Sequence, residues 1–239
     1  MADIMTKNRT AFREFARFAA MRDISSQTAE EIWKAGKLKR FEKGDLILRA
    51  MEKSQGICFL LSGKVIQYNL THSGKRKILF IFGPGNLLND HVFDDHNSTI
   101  YCEAIEDARV LLLSKDDFNR IMEGDFSLIR AVMSEQERKM WRLSHQLKNT
   151  VSSIYLERKL AAKLWKLARD FGISRDDGIE IDVTMSITFL ADMLGVPRET
   201  ASRVFRVLAD QKLVRQERKR VIVIDPDRLA HFYKIGEIP

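Results

Sequence analysis

Gly195-Val196-Pro197-Arg198-Glu199-Thr200-Ala201-Ser202-Arg203-Val204-Phe205-Arg206-Val207-Leu208 divides into two faces when wound as a helix. At about 100° per residue, Arg198, Ser202, Arg206, Glu199 and Arg203 fall on one arc of roughly 140°. Thr200, Ala201, Val204, Phe205, Val207 and Leu208 occupy the rest. One face is built for burial; the other carries guanidinium forks, a hydroxyl and a carboxylate. Gly195 suits the positive φ that ends a preceding helix. Pro197 suits the first turn of the next, where a missing N–H costs nothing. Taken alone, the polar arc also fits a solvated face with a Glu199–Arg203 ion pair at i,i+4. The flanking sequence separates the two readings.

Upstream, residues 155–171 form an amphipathic pattern, Ile179–Val183 alternates like an edge strand, and Ser186 can N-cap a helix through Leu194. A helix, a short Gly-containing turn and a second helix with donors near its start make a helix-turn-helix, whose second helix enters the major groove. Downstream, Lys212-Leu213-Val214 and Val221–Ile224 read as a hairpin joined by Arg218-Lys219-Arg220, a wing with a basic tip. Residues 190–220 carry eight Lys/Arg against four acids, a net of +4 within a chain of net charge +7. Such a segment suits a polyanion. Arg198 and Arg203 match the N7/O6 acceptor pair of guanine, and Glu199 can accept from cytosine N4 or adenine N6. Ser186, Thr188, Thr200, Arg206 and Lys219 are placed to hold phosphates, which fixes register without reading sequence.

The 239 residues suit two small domains. There is no apolar run of about 18 residues, so no transmembrane span, and the N-terminus lacks a secretory signal core; a cytoplasmic protein is expected. After short helices over about 8–36, the period changes. Leu46–Leu48, Ile57–Leu61, Val65–Leu70, Ile78–Phe82, Thr99–Cys102 and Ala108–Leu113 are β-rich runs parted by Gly, Asp and Asn turns. They predict a sandwich, barrel or roll. Ser114 then N-caps a short helix. From Gly124 onward Ile129, Met133, Gln136, Met140, Leu143 and Leu147, continuing to Val151 and Ile154, recur at nearly heptad spacing. This helix, about 125–150, is longer than a small domain needs. It predicts a homodimer seam with Gln136 setting register. A hinge is placed over Lys148–Ser153, dividing residues 1–150 from 151–239.

These residues together resemble the Crp/Fnr superfamily of bacterial transcription regulators. The resemblance rests on Phe41-Glu42-Lys43-Gly44-Asp45, Phe59-Leu60-Leu61-Ser62-Gly63-Lys64-Val65, Gly83-Pro84-Gly85-Asn86, the block Gly195–Arg203 and Leu208-Ala209-Asp210-Gln211-Lys212-Leu213-Val214. It implies an α+β chain: an N-terminal β-roll of the cyclic-nucleotide-binding type, a long dimerisation helix and a C-terminal winged helix-turn-helix. An effector bound in the roll, against the dimer helix, would reorient the DNA-binding domains. Glu199, Ser202 and Arg203 match a Glu-x-x-Ser-Arg pattern, with Arg198 matching a further base-reading position. This implies an inverted repeat of TGA-containing half-sites in double-stranded DNA. RNA polymerase is the partner the family implies.

Departures from the family narrow the effector. Where cyclic-AMP receptors carry Gly-Glu and a later Arg-Ser, this chain has Asn89-Asp90 and Asn97-Ser98-Thr99, so an anionic phosphodiester lacks its charge-assisted fork. Residues 1–35 hold no cysteine for an iron–sulfur cluster. The remaining resemblance is to branches that sense small organic or redox signals, halorespiration regulators among them. Haem stays open through His91, His96 and His145. Asn89, Asp90, Thr99 and Tyr101 from the roll, with Trp141 and Ser144 from the long helix, are the candidate effector contacts.

Two other functions stand beside the effector-gated regulator. The same scaffold could work without a small ligand, governed by abundance or by Cys58 and Cys102, which otherwise read as buried structural thiols. A cupin-like metalloenzyme is the enzymatic alternative, prompted by Asp90–His96. Its His-x-His, carboxylate and later strand histidine are missing, so no metal ligand or catalytic residue is assigned.

Overall fold

Two helices, α1 (Ala2–Ala20) and α2 (Ser26–Ala35), precede seven strands: β1 (Lys37–Phe41), β2 (Leu46–Leu48), β3 (Ile57–Ser62), β4 (Val65–Leu70), β5 (Arg76–Phe82), β6 (Tyr101–Ala104) and β7 (Ala108–Leu113). Helices α3 (Lys115–Gly124) and α4 (Phe126–Lys148) follow. This is a computed structural model, and it describes residues 2–148 and 156–236. Its two compact units comprise residues 1–69 with 79–144, and residues 70–78 with 145–239.

In the first unit the strands form two antiparallel sheets, ordered β1-β7-β3 and β2-β6-β4-β5. The alternation of β7 shows how the roll is held together. Ala108 and Val110 join a core with Leu60, Val65, Phe82 and Cys102. Leu111 and Leu113, on the opposite face, join Phe15, Ile32, Ile57, Phe118 and Leu128 beneath the helices. A strand buried on both faces reads as a continuous apolar run, as Val110–Leu113 does. Ser114 caps α3, accepting from the Asp117 N–H at 3.1 Å. Strand β1, Lys-Leu-Lys-Arg-Phe, is exposed over four of its five residues and gives no periodic signal; pairing with β7 makes it a strand.

The second unit contains α5 (Leu156–Phe171), β8 (Gly172–Arg175), β9 (Gly178–Ile181), α6 (Ile187–Leu194), α7 (Arg198–Asp210), β10 (Val214–Glu217), β11 (Arg220–Val223) and α8 (Pro226–Ile235). Leu160, Leu164, Leu190, Ala201, Val204 and Leu208 are buried in its helices. The sheet order β10-β11-β9-β8 corrects two expectations. Strand β9 is interior, because Gly172–Arg175 pairs along its outer side. The wing turn is Arg218-Lys219 alone: Arg220 already pairs with Glu217, and Lys212 lies in the turn after α7 rather than in the hairpin. Of the expected hinge, residues 149–153 fall outside the described residues, as do Val151 and Ile154 of the long heptad pattern.

Candidate functional site

Helix α6 begins at Ser186, whose Oγ accepts from the Phe189 N–H at 3.1 Å. It ends at Gly195, left-handed with φ 72° and ψ 41°, whose N–H donates to the Ala191 carbonyl at 2.7 Å. Three residues later α7 starts, with Pro197 at its N-cap and no side chain bonding its first N–H groups. Such an unsatisfied end, with its positive dipole, favours an anion such as phosphate.

The two faces of α7 separate as the 100° rule requires. Ala201, Val204, Phe205 and Leu208 are buried; Arg198, Glu199, Arg203 and Arg206 are exposed, and Ser202 is half-buried between them. Burial of each large apolar side chain is worth roughly 1.5–3 kcal/mol, which fixes the helix on its core and leaves the polar face outward. The ion pair Glu199–Arg203 does not form among the described residues, so the outward face is not tied up within the chain. Thr188, in the first turn of α6, is exposed, and Thr200, in the first turn of α7, is half-buried.

The wing is braced from beneath. The Met185 N–H donates to the Lys219 carbonyl at 2.7 Å, and Gln216 Nε2 donates to the Met185 carbonyl at 2.7 Å. Arg215 pairs with Asp177 and, at 2.8 Å, with Glu217, which also meets Arg175 at 3.3 Å; Arg220 pairs with Asp182. These guanidiniums hold the Glu217 carboxyl below its ordinary range. Two of the eight basic residues counted over 190–220 therefore stiffen the sheet. Arg218 and Lys219 remain exposed at the tip, both at positive φ, 45° and 66°.

In the first unit, the loop after β5 is fastened to α4. Glu135 Oε1 accepts from the Leu87 N–H at 3.2 Å, and Lys139 Nζ donates to the carbonyls of Leu87 at 2.9 Å and Asn89 at 3.0 Å. Gln136 Nε2 reaches the Asn89 carbonyl at 3.4 Å. The Glu135 carboxylate also meets Arg22 at 3.1 Å. Both Glu135 and Lys139 are buried, and burial lowers the Lys139 ammonium below its ordinary value. Arg142 lies over the rings of Phe80 and Phe82, 4.8 and 5.6 Å from their centroids. The clamp of Glu135, Lys139 and Arg142 had one signal in sequence: charges recurring at i,i+4 and i,i+3 on the side of α4 away from its apolar stripe.

The six candidate effector contacts are sorted by this arrangement. Asn89 is not open to a ligand: it is 1% exposed, its Oδ1 accepts from the Cys58 N–H at 2.8 Å and its Nδ2 donates to the Gly56 carbonyl at 2.9 Å. Asp90 and Thr99 bond one another, the carboxylate accepting from the Thr99 N–H at 2.6 Å and Oγ1 at 2.8 Å. Tyr101 stacks on Tyr68, centroids 5.2 Å apart. Trp141 and Ser144 are exposed on α4. A small apolar cavity in this unit is lined instead by Phe15, Phe18, Leu60, Leu87, Leu128 and Glu135, and includes none of the six.

Of the seam residues, Ile129 packs partly on the helical core and Leu143 partly on the roll. Met133, Met140 and Leu147 are exposed at 51%, 64% and 66%, and Phe126, absent from the sequence pattern, extends the same row at 74%.

Residues 158–232 match the Crp-like helix-turn-helix domain, and residues 38–125 match the cyclic nucleotide-binding domain. The chain belongs to the Crp/Fnr family of transcription regulators. It is a DNA-binding regulator of that type, in a family of regulators rather than enzymes. It is 24% identical over 196 residues to the HTH-type transcriptional regulator ArcR of Staphylococcus aureus, covering 78% of this chain and 79% of that one. A solved CooA mutant of Carboxydothermus hydrogenoformans shares the fold with a TM-score of 0.69 at 19% identity, covering 88% of this chain and 91% of the other. OCPA-complexed CprK does so with a TM-score of 0.63 at 20% identity, covering 87% and 94%. Like its Crp/Fnr relatives, the chain pairs an N-terminal roll and long helix with a C-terminal helix-turn-helix. No helix among the described residues is long and apolar enough to cross a membrane.

Proposed function

We propose that the protein is a homodimeric regulator that reads an inverted repeat of TGA-containing half-sites and is gated through its β-roll. The observation carrying this is the outward face of α7: Arg198, Glu199, Ser202 and Arg203 share it, and none of the three charged groups is neutralised by an ion pair among the described residues. Arg198 and Arg203 read guanine, Glu199 reads an amino donor, and Ser202 adds a hydroxyl between them. Ser186, Thr188, Thr200, Arg206 and Lys219 hold phosphates. Phe126, Met133, Met140 and Leu147 recur every seven residues along the exposed side of α4, which supports pairing with a second copy through a coiled-coil seam. Two-fold symmetry then sets half-site centres about 34–36 Å apart. Residues 1–150 form the sensing and dimerising part and 151–239 the DNA-binding part. RNA polymerase in the cytoplasm is the further partner.

The roll works without cyclic AMP, whose phosphate would find Ser98 and Thr99 already bonded to Asp90. The complex of CprK with OCPA is a precedent for a small-molecule effector on this scaffold. The α4 clamp favours a second reading, in which the roll needs no effector because Glu135 and Lys139 already bridge loop and helix. Selection of bound sequences from a random duplex pool, with and without candidate effectors, decides between them: recovery of an inverted repeat only with an effector supports gating, and equal recovery supports the second reading. Arg203→Ala should lose roughly 1–3 kcal/mol of preference at one base pair per half-site, whereas Lys219→Ala should weaken all sequences alike. An unchanged footprint for Arg203→Ala would overturn the assignment of α7.

A further inference from the structure

The loop between β5 and β6 brings His91, Asp94 and His96 together. His91 Nδ1 lies 3.1 Å from Asp94 Oδ1, and His96 Nδ1 lies 3.0 Å from Asp94 Oδ2. One donor atom from each of the three residues falls within 4.8 Å of the others. We propose that these three side chains bind a divalent first-row transition-metal ion, of the kind that takes two imidazoles and a carboxylate.

The chemistry of the donors selects this class. Imidazole nitrogen suits Zn²⁺, Ni²⁺, Cu²⁺ and Fe²⁺, whereas Mg²⁺ and Ca²⁺ want oxygen alone. Around a tetrahedral ion with ligand bonds of about 2.0–2.1 Å, neighbouring ligand atoms stand roughly 3.3 Å apart. The two nitrogen–oxygen separations are already near that value. Each imidazole directs Nδ1 at the carboxylate, so a metal ion would sit between these nitrogens and Asp94. Bringing the two rings to one carboxylate oxygen needs rotation of His96, whose side chain is 75% exposed and meets the His91 ring at 5.6 Å between centroids.

Metal-bound histidines present their other nitrogen to a carboxylate or carbonyl. Asp90 is the carboxylate at hand for His91: its Oδ2 stands 4.0 Å from Nε2, outside hydrogen-bond distance until the ring turns toward it, and Asp90 is itself fixed by Ser98 Oγ at 3.0 Å and the Thr99 N–H at 2.6 Å. A nearby cation, Lys115, is engaged by the loop rather than by the three donor atoms: its Nζ donates to the Asp94 backbone carbonyl at 2.6 Å and pairs with Asp95 at 3.5 Å. With neutral imidazoles, Asp90, Asp94 and Asp95 outweigh Lys115 and leave the loop anionic. Metal binding here is independent of how the protein reads DNA.

The test uses the full chain without a histidine tag, stripped of metal. Zn²⁺ is titrated in competition with a chromogenic chelator, and Co²⁺ is titrated for its visible ligand-field bands. One ion per chain is expected. His96→Ala and Asp94→Asn should each weaken Zn²⁺ at least 10-fold and abolish the Co²⁺ bands, while His72→Ala leaves both unchanged. The two substitutions lie on exposed side chains, so an unaltered circular dichroism spectrum is expected to show that the fold is kept. Zn²⁺ affinity equal in the parent, His96→Ala and Asp94→Asn, or no binding at ion concentrations tenfold above the protein, would overturn the proposal.

Discussion

Replacing the wing tip Arg218-Lys219 with Asn-Gly should stabilise the protein and weaken its hold on DNA. Both residues sit at positive φ between the paired Glu217 and Arg220, so the connection is a two-residue turn with both central positions left-handed. That is the type I′ form, for which Asn-Gly is the preferred pair. A left-handed residue with a side chain costs roughly 1–2 kcal/mol, and an Asn-Gly tip removes most of it. The hydrogen bond from the Met185 N–H to the carbonyl of residue 219 uses backbone only and survives the exchange. A net gain of about 1–2 kcal/mol is expected, which at roughly 4–8 °C per kcal/mol is visible in a thermal melt of the second unit.

DNA affinity should move the opposite way. Each lost phosphate contact lowers the slope of log K against log salt by about 0.9, or about 8-fold in affinity at 0.1 M salt, so the two contacts of one wing amount to about 60-fold for each half-site. Fluorescence anisotropy with a labelled duplex, repeated across about 0.05–0.3 M salt, reads the slope directly. Arg220→Gln serves as a contrast: its guanidinium pairs with Asp182, so its loss should lower stability and leave the slope nearly unchanged. A more stable Asn-Gly variant with the parent's salt slope would show that the tip touches no phosphate. A less stable one would refute the strain assigned to the turn.

Met133→Glu with Met140→Glu should convert dimer to monomer in sedimentation equilibrium without unfolding the chain, because both side chains are more than half exposed; a persisting dimer would place the seam elsewhere. Burial pushes the Cys58 thiol up to about 12 from an ordinary 9.0 and raises Cys102 as well. The folded chain thus keeps protons that the unfolded chain releases, so stability should fall as pH rises from about 9 toward 12. A disulfide exchange reagent at about pH 8 should label neither thiol until denaturant is added, and rapid labelling of native protein would revive thiol control. Lys139→Met should cost about 2 kcal/mol, the two carbonyls losing a charged donor while a buried charge is relieved. Since the folded ammonium titrates below its ordinary 10.5, Lys139 adds a contribution that rises with pH toward that value and offsets part of the fall due to the thiols, so the variant should lose stability more steeply than the parent over about pH 9–10.5.

The helix-turn-helix was legible because its signals are local. Gly195, Pro197 and the two-faced pattern of α7 lie within fourteen residues, and each acts through backbone geometry or burial that neighbours cannot overrule. The six roll runs were legible for the same reason: alternation and turn residues mark them. Strands β1 and β8 were not, since Lys37–Phe41 and Gly172–Arg175 become strands only through pairing, the first with β7 far along the chain and the second with β9 close by across a turn. The heptad pattern was half informative. Ile129 and Leu143 have the same apolar character as Met133 and Met140, but they lie partly on their own chain's core. Composition cannot distinguish an apolar residue facing a core from one facing a twin. The candidate effector contacts were least legible because a polar side chain in a loop, such as Asn89, serves equally well as a brace for the loop backbone.

The clamp on α4 gives the proposed gating a mechanical form. Glu135 and Lys139 stand one turn apart, and together they hold the N–H and the carbonyl of a single residue, Leu87. Charged hydrogen bonds of this kind are worth about 1.5–3 kcal/mol each, and leaving a buried member unpaired costs at least as much. Loop 87–99 therefore would not shift away from the helix by breaking them; the helix would move with it. Met133 and Met140 ride on the same rigid helix, turned away from the clamp toward the proposed seam. A ligand or ion that alters the loop would then act on the dimer by rotating α4, with no direct contact to the second chain. Uncoupling should follow from Glu135→Gln combined with Lys139→Met, which keeps both volumes and removes both charges: an effector that shifts DNA affinity in the parent should still bind this variant and leave its DNA affinity unchanged. An unaltered effector response would put the transmission outside the clamp.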